Sequence, residues 1–187
     1  MSLKSLSDNI KSESEFYTFV KLERVIRRPL SLHHLHKDMA DIIRSHKHEE
    51  ERKSNVKAFM TNYFLHKQHS IVNEVCNAAI NVIQSIQVKD QKGTLDKFFT
   101  FDCWGAIYSE NDYTQPHTHG PALWSWCYYI QIPDNAPPLY FREAKLKVYP
   151  KPDELVIFPG HVTHEVPKAS DMQGERIILA GNIYLDY

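Results

Sequence analysis

The chain has 187 residues, 42% of them hydrophobic and 24% charged, with a formal net charge of −1. That is the size and make-up of one compact domain with enough apolar material for a real core. The near-zero charge, with no basic stripe carrying interleaved aromatics, excludes nucleic acid as the expected partner, and no run approaches the roughly 20 apolar residues that span a bilayer.

The first residues lack the apolar run of a secretion signal. The three cysteines, Cys76, Cys103 and Cys127, form no CxxC pair and read as reduced, mostly buried thiols. A cytoplasmic protein without membrane contact is the expectation.

In chain order, the aromatic and β-branched segment around Phe16–Val20 (EFYTFVKLERVI) suggests an early strand. Ser31 is placed to cap a helix running to about His48, with Leu35, Met39, Ile42 and Ile43 as its apolar stripe. Val56–Phe64 reads as a short extended piece. Between about Ser70 and Gln87, the residues Ile71, Val72, Val75, Cys76, Ala79, Ile80, Ile83 and Ile86 recur at spacings of three and four. They predict one amphipathic helix that covers a sheet, with Gly93 just beyond its end.

From about Phe98 the texture turns to strands. FFTFDCWGAIY, LWSWCYYIQI, PLYFR, ELVIFP and RIILAGNIYL are short β-branched and aromatic runs. Turn signals separate them at Glu110–Asp112, Pro133–Pro138, Pro150–Asp153 and Ser170–Gly174. Many short strands at this spacing argue for a sandwich or barrel. The expected architecture is a single domain over 1–187, α+β but mainly β. Residues 1–95 supply helices and flanking strands, and 96–187 an antiparallel, cupin-like jelly roll.

The chain holds 11 histidines, and three stand out. In QPHTHG, His117 and His119 are i and i+2, so in extended chain both rings point to one side. His164, in FPGHVTHEVP, follows a later strand that a jelly roll can bring beside them. Three neutral imidazoles with open positions suit iron, zinc, nickel or copper. His161 competes with His164 for the third place. His33, His34, His36, His46 and His48 read as the solvated face of their helix, and His66 and His69 show no recognisable spacing. Arg176 falls on the strand after His164, where its rigid fork of donors could hold a carboxylate-tailed cosubstrate.

Taken in order, the Trp104-bearing strand, QPHTH, SWCYYIQIP, LYF, ELVIFPGHVTHEVP and RIILAGN resemble the iron(II)- and 2-oxoglutarate-dependent oxygenases. The likeness is to a small branch related to the prolyl hydroxylases. It spans nearly all of 98–187, and SNVKAFMT at 54–61 is similar to a segment between the N-terminal helices of such proteins. The resemblance implies a double-stranded β-helix, iron(II) on His117, His119 and His164, and 2-oxoglutarate with its distal carboxylate on Arg176. Tyr129 and Tyr108 then line the cosubstrate pocket, and Ser125, on the same strand face as Tyr129, joins that set. Trp124, Trp126 and Tyr128 alternate to the other face and read as packing.

The family's usual motif is H-x-D or H-x-E, and here His119 stands in the carboxylate's place, leaving one more unit of positive charge at the metal. The resemblance implies a dioxygenase that hydroxylates a peptidyl or small-molecule substrate, with succinate and carbon dioxide as co-products. A three-histidine cupin-type dioxygenase without 2-oxoglutarate, or a non-catalytic metal-binding cupin module, is the alternative. The primary substrate and the oligomeric state stay open, a homodimer through an exposed strand edge included.

Overall fold

A computed structural model describes residues 24–47, 54–86 and 97–186. The expected strand at Phe16–Val20, the ends of both predicted helices at His48 and Gln87, and Gly93 lie outside the described residues. In chain order the elements are β1 (Ile26–Pro29), a 3₁₀ turn (His33–Leu35), α1 (His36–Ser45), β2 (Val56–Lys57), β3 (Phe59–Met60), α2 (Leu65–Gln68) and α3 (Ser70–Ile86). There follow β4 (Lys97–Tyr108), β5 (Tyr113–His117), β6 (Trp124–Gln131), β7 (Leu139–Phe141), β8 (Leu146–Val148), β9 (Glu154–Pro159), β10 (His164–Val166) and β11 (Arg176–Asp186).

The strands pair antiparallel into two sheets, one ordered β1-β9-β6-β11-β4-β3 and the other β2-β5-β10-β7-β8. Strands far apart in sequence lie side by side, which is the jelly-roll arrangement of a double-stranded β-helix. No helix among the described residues is long and apolar enough to cross a membrane.

Strand alternation divides the core in two. On the helix side of the larger sheet, Trp126 and Tyr128 of β6 and Cys103 and Ile107 of β4 pack against Met39 and Ile43 of α1 and Val72, Val75, Ala79 and Ile83 of α3. Each such buried aliphatic side chain stabilises the fold by about 1.5–3 kcal/mol. Between the sheets, Trp104 and Tyr108 of β4 and Tyr129 of β6 pack with Phe141, Phe158 and Val166. The division of β6 follows the expectation: Tyr129 faces inward, while Trp126 and Tyr128 lie under the helices.

Ser31 does not cap α1. It sits in a left-handed turn (φ 59°), and the helix proper begins after the 3₁₀ turn. Asp153, adjacent across the β1–β9 pair, holds the turn ahead of the 3₁₀ segment: its carboxylate accepts from the N–H groups of Ser31 (2.9 Å) and Leu32 (2.7 Å) and from the Tyr128 hydroxyl (2.7 Å). His36 is not on a solvated face either. Its Nε2 lies 2.8 Å from the Tyr128 hydroxyl, and burial lowers its pKa against the pull of Asp153.

Several short elements escape the sequence reading, among them β10, three residues long and carrying His164. β5 carries a proline and little apolar pattern, β8 is three residues long, and α2 is a single turn. Close approach joins the layers at Gly105 of β4, where an added Cβ would fall 2.5 Å from Cγ1 of Ile43.

Candidate metal centre

β5 and β10 run antiparallel with His117 and His164 directly opposite one another. His119 lies just past β5, and its loop is tied down: its N–H donates to the Gly160 carbonyl (2.7 Å), and its own carbonyl accepts from Ala122 (2.8 Å). A side chain at Gly160 would drive into the Ala122 carbonyl, so the turn after β9 needs glycine to seat this loop. The three rings converge, with centroids 4.3–5.0 Å apart. One donor atom from each lies within 4.8 Å of those of the other two, and Nε2 of His119 is 3.2 Å from Nε2 of His164.

Two of the rings are oriented by the backbone. Nδ1–H of His117 donates to the Gln115 carbonyl (2.8 Å) and Nδ1–H of His164 to the Val162 carbonyl (3.0 Å). A carbonyl can only accept, so the proton sits on Nδ1 and the Nε2 lone pair is left for a ligand, as metal-bound histidines require. Burial, then the neighbouring imidazoles, lowers the pKa of His119 to about 3 and that of His164 to about 3. Burial also lowers His117. The rings are therefore neutral near pH 7 and ready to bind a cation. The donor chemistry fits a borderline divalent ion such as iron(II). His161 lies exposed in the turn before β10, outside the converging set.

A narrow cleft runs from the histidines past Cys127 and Ile178 to Arg176. Its free volume is about 40 Å³. A dicarboxylate enters only if the lining side chains part. At its end Arg176 is 1% exposed. One guanidinium nitrogen donates to the Pro137 carbonyl (2.8 Å) and another faces the Tyr129 hydroxyl at 3.4 Å. The Tyr108 and Tyr129 rings flank the guanidinium at 5.4 and 5.1 Å. Among the described residues its buried Nε has no hydrogen-bond partner and no carboxylate pairs with it. A buried cation with an unused donor is suited to an incoming anion.

Of the expected residues, the structure gathers His117, His119 and His164 at one end of the cleft and Arg176, Tyr108 and Tyr129 at the other. Ser125 is not among them: its hydroxyl donates to Oδ1 of Asn182 on β11 (2.7 Å). Asn182 in turn donates to Asp102 (3.0 Å). Two residues near the site carry no signal in the sequence. Thr114 meets the Tyr108 hydroxyl at 2.7 Å, and Asp102 lines a second, wider cavity of about 310 Å³ with Tyr63, Trp104, His117, His119 and Asn182. Only the pairing of β5 with β10, and of β6 and β4 with β11, places them.

No protein-family model matches the sequence, and no relative was found among curated proteins. Solved structures do match. A viral collagen prolyl hydroxylase, vCPH, from Paramecium Bursaria Chlorella virus-1, solved as its 2OG complex, aligns with a TM-score of 0.64 at 19% identity, over 87% of this chain and 96% of that one. An oxidoreductase of the 2OG-Fe(II) oxygenase family from Burkholderia pseudomallei gives 0.61 at 12% identity, over 86% and 84%. A Trichoplax adhaerens prolyl hydroxylase, complexed with a hypoxia inducible factor oxygen degradation domain peptide fragment, gives 0.60 at 14%, over 87% and 83%. The chain has the double-stranded β-helix fold of the iron(II)- and 2-oxoglutarate-dependent oxygenases.

Proposed function

We propose that the chain is a non-haem iron(II), 2-oxoglutarate-dependent dioxygenase that hydroxylates a peptidyl or small-molecule substrate. The observation that carries this reading is the shared cleft: three neutral imidazoles converge at one end and a buried, flanked guanidinium closes the other. When bound, iron(II) with 2-oxoglutarate would let dioxygen act as the oxidant, one oxygen atom going to succinate as carbon dioxide is lost and the other to a substrate C–H bond.

In this reading His117, His119 and His164 hold the metal through Nε2. The Gln115 and Val162 carbonyls fix the orientation of two of the rings. Arg176 holds the distal carboxylate of the cosubstrate, with Tyr129 and Tyr108 keeping its guanidinium in place and dry. The wider cavity beside His117 and His119 is open to the primary substrate. No side chain has to act as a general acid or base. The prolyl hydroxylases among the structural neighbours support a peptidyl substrate class, and the polar lining of the cavity leaves a small metabolite equally accommodated.

The test is turnover. Iron(II)-loaded protein should convert 2-oxoglutarate to succinate slowly without substrate, and lose that activity in the Arg176→Ala variant. The one observation favouring a three-histidine dioxygenase that binds its substrate directly is the absence of a carboxylate ligand at position 119. That reading leads if iron binds stoichiometrically and no succinate forms.

A further inference from the structure

On the opposite face of the larger sheet lies a second set of donors that the oxygenase reading does not use. His66 of α2, Cys76 of α3 and Cys103 of β4 come together where those three elements pack. Cys103 points away from the histidine centre, because its neighbour Trp104 faces the interior between the sheets while Cys103 lies under the helices. All three are buried, at 9%, 1% and 0% exposure for His66, Cys76 and Cys103.

Buried cysteines alone are ordinary core residues. Here two buried thiols stand together, and beside them is a buried imidazole whose Nδ1 has no hydrogen-bond partner among the described residues. An unused buried polar nitrogen costs free energy unless something binds it. One donor atom from each residue already lies within 4.8 Å of the other two. With zinc–sulfur bonds of about 2.3 Å and zinc–nitrogen bonds of about 2.0–2.1 Å, donors in a zinc site sit about 3.5–3.8 Å apart, so a shift on the order of 1 Å closes the set.

We propose that His66, Cys76 and Cys103 form a second metal site for a thiophilic divalent cation of the zinc class. Softness separates it from the front site, since thiolates favour zinc whereas three imidazoles accept iron. Charge argues for a divalent ion too. On binding, each thiol releases one proton, and two thiolates neutralise the ion's two charges, leaving no net charge in the apolar layer between helices and sheet. The imidazole, neutral because burial lowers its pKa, completes three protein ligands and leaves a fourth position for water. The bound ion would pin α2 and α3 onto β4.

Cobalt(II) serves as the probe on the reduced, metal-free full chain, titrated to equilibrium. Two ions per chain should bind, one of them raising a near-ultraviolet sulfur-to-cobalt charge-transfer band. The His164→Ala variant should keep that band and bind one ion. Cys76→Ser and Cys103→Ser should each lose the band and keep the other ion. His66→Phe, which leaves both thiols in place, should weaken the thiolate site by at least the roughly tenfold that even an outer-shell change costs. A wild-type chain that shows no charge-transfer band, or a band that survives in both cysteine variants, overturns the proposal. An unchanged affinity in His66→Phe removes the imidazole from the site.

Discussion

At the scale of single residues, the central pair is His119 and Arg176. His119→Asp turns the H-x-H pair into H-x-D and lowers the charge at the centre by one unit. Stoichiometric iron binding should survive, measured by metal analysis after anaerobic loading; complete loss would mean that the loop geometry admits only imidazole. Arg176→Ala should leave iron content unchanged and cost about 2 kcal/mol or more in 2-oxoglutarate binding, a loss of roughly thirtyfold or more. Unchanged affinity would make the arginine structural, held only by Pro137 and Tyr129. The H-x-H pair is legible in the sequence from its i, i+2 spacing, although His119 lies just past β5 and its loop bonds to Gly160 and Ala122 seat it. That His164 rather than His161 joins them is legible only with the register of β10 against β5. Ser125 shows where face alternation stops informing. It correctly shares a face with Tyr129, yet its depth along β6 sets it opposite Asn182, away from the arginine.

At the scale of elements, α1 illustrates tertiary control over a local signal. Its apolar stripe is plain in the sequence, but the turn that leads into it is held by Asp153, remote in sequence and on the loop before β9. Burial pulls the Asp153 pKa up, and its hydrogen bonds from Tyr128 and the two backbone amides pull it down further, so the net shift is downward from 3.8. A carboxylate with a depressed folded-state pKa contributes stability above its unfolded value, and that contribution is lost as pH falls below about 3.8. Asp153→Asn should therefore cost about 1–3 kcal/mol at neutral pH, and the deficit against wild type should shrink in acid. A deficit that is the same at pH 7 and pH 3 would deny the charge a role. Gly105→Ala should cost about 1–3 kcal/mol by overpacking against Ile43, read by chemical denaturation. In the double variant with Ile43→Ala the two costs should fall short of their sum, because the smaller side chain removes the clash. Additive costs would place the strain elsewhere. The short strands β5, β8 and β10 and the one-turn α2 are invisible in the sequence for a common reason: pairing and packing across the fold hold them, and they have no periodicity of their own.

At the scale of the whole molecule, the many short turn-separated strand runs indicate a sandwich or barrel rather than an α/β sheet, and the resemblance narrows it to a double-stranded β-helix. Which strands neighbour one another is not readable, and that is what forms the cleft: β5, β10 and β11 come together from three separate stretches of the chain. Metal binding to such a preformed site couples to the stability of the whole fold. Iron(II) at a hundred times its dissociation constant should stabilise the wild type by about 2.7 kcal/mol, or about 5–10 °C in Tm for a chain of this length, measured anaerobically. The His164→Ala variant should show no such rise; an equal rise there would place the ion elsewhere. Whether one cleft holds both iron and 2-oxoglutarate is tested most directly by an anaerobic titration of the iron(II)-loaded chain with 2-oxoglutarate, followed through the weak visible charge-transfer band of the chelate. A band that grows and saturates at one equivalent is the expected result. Stoichiometric iron with no band at any 2-oxoglutarate concentration would contradict it.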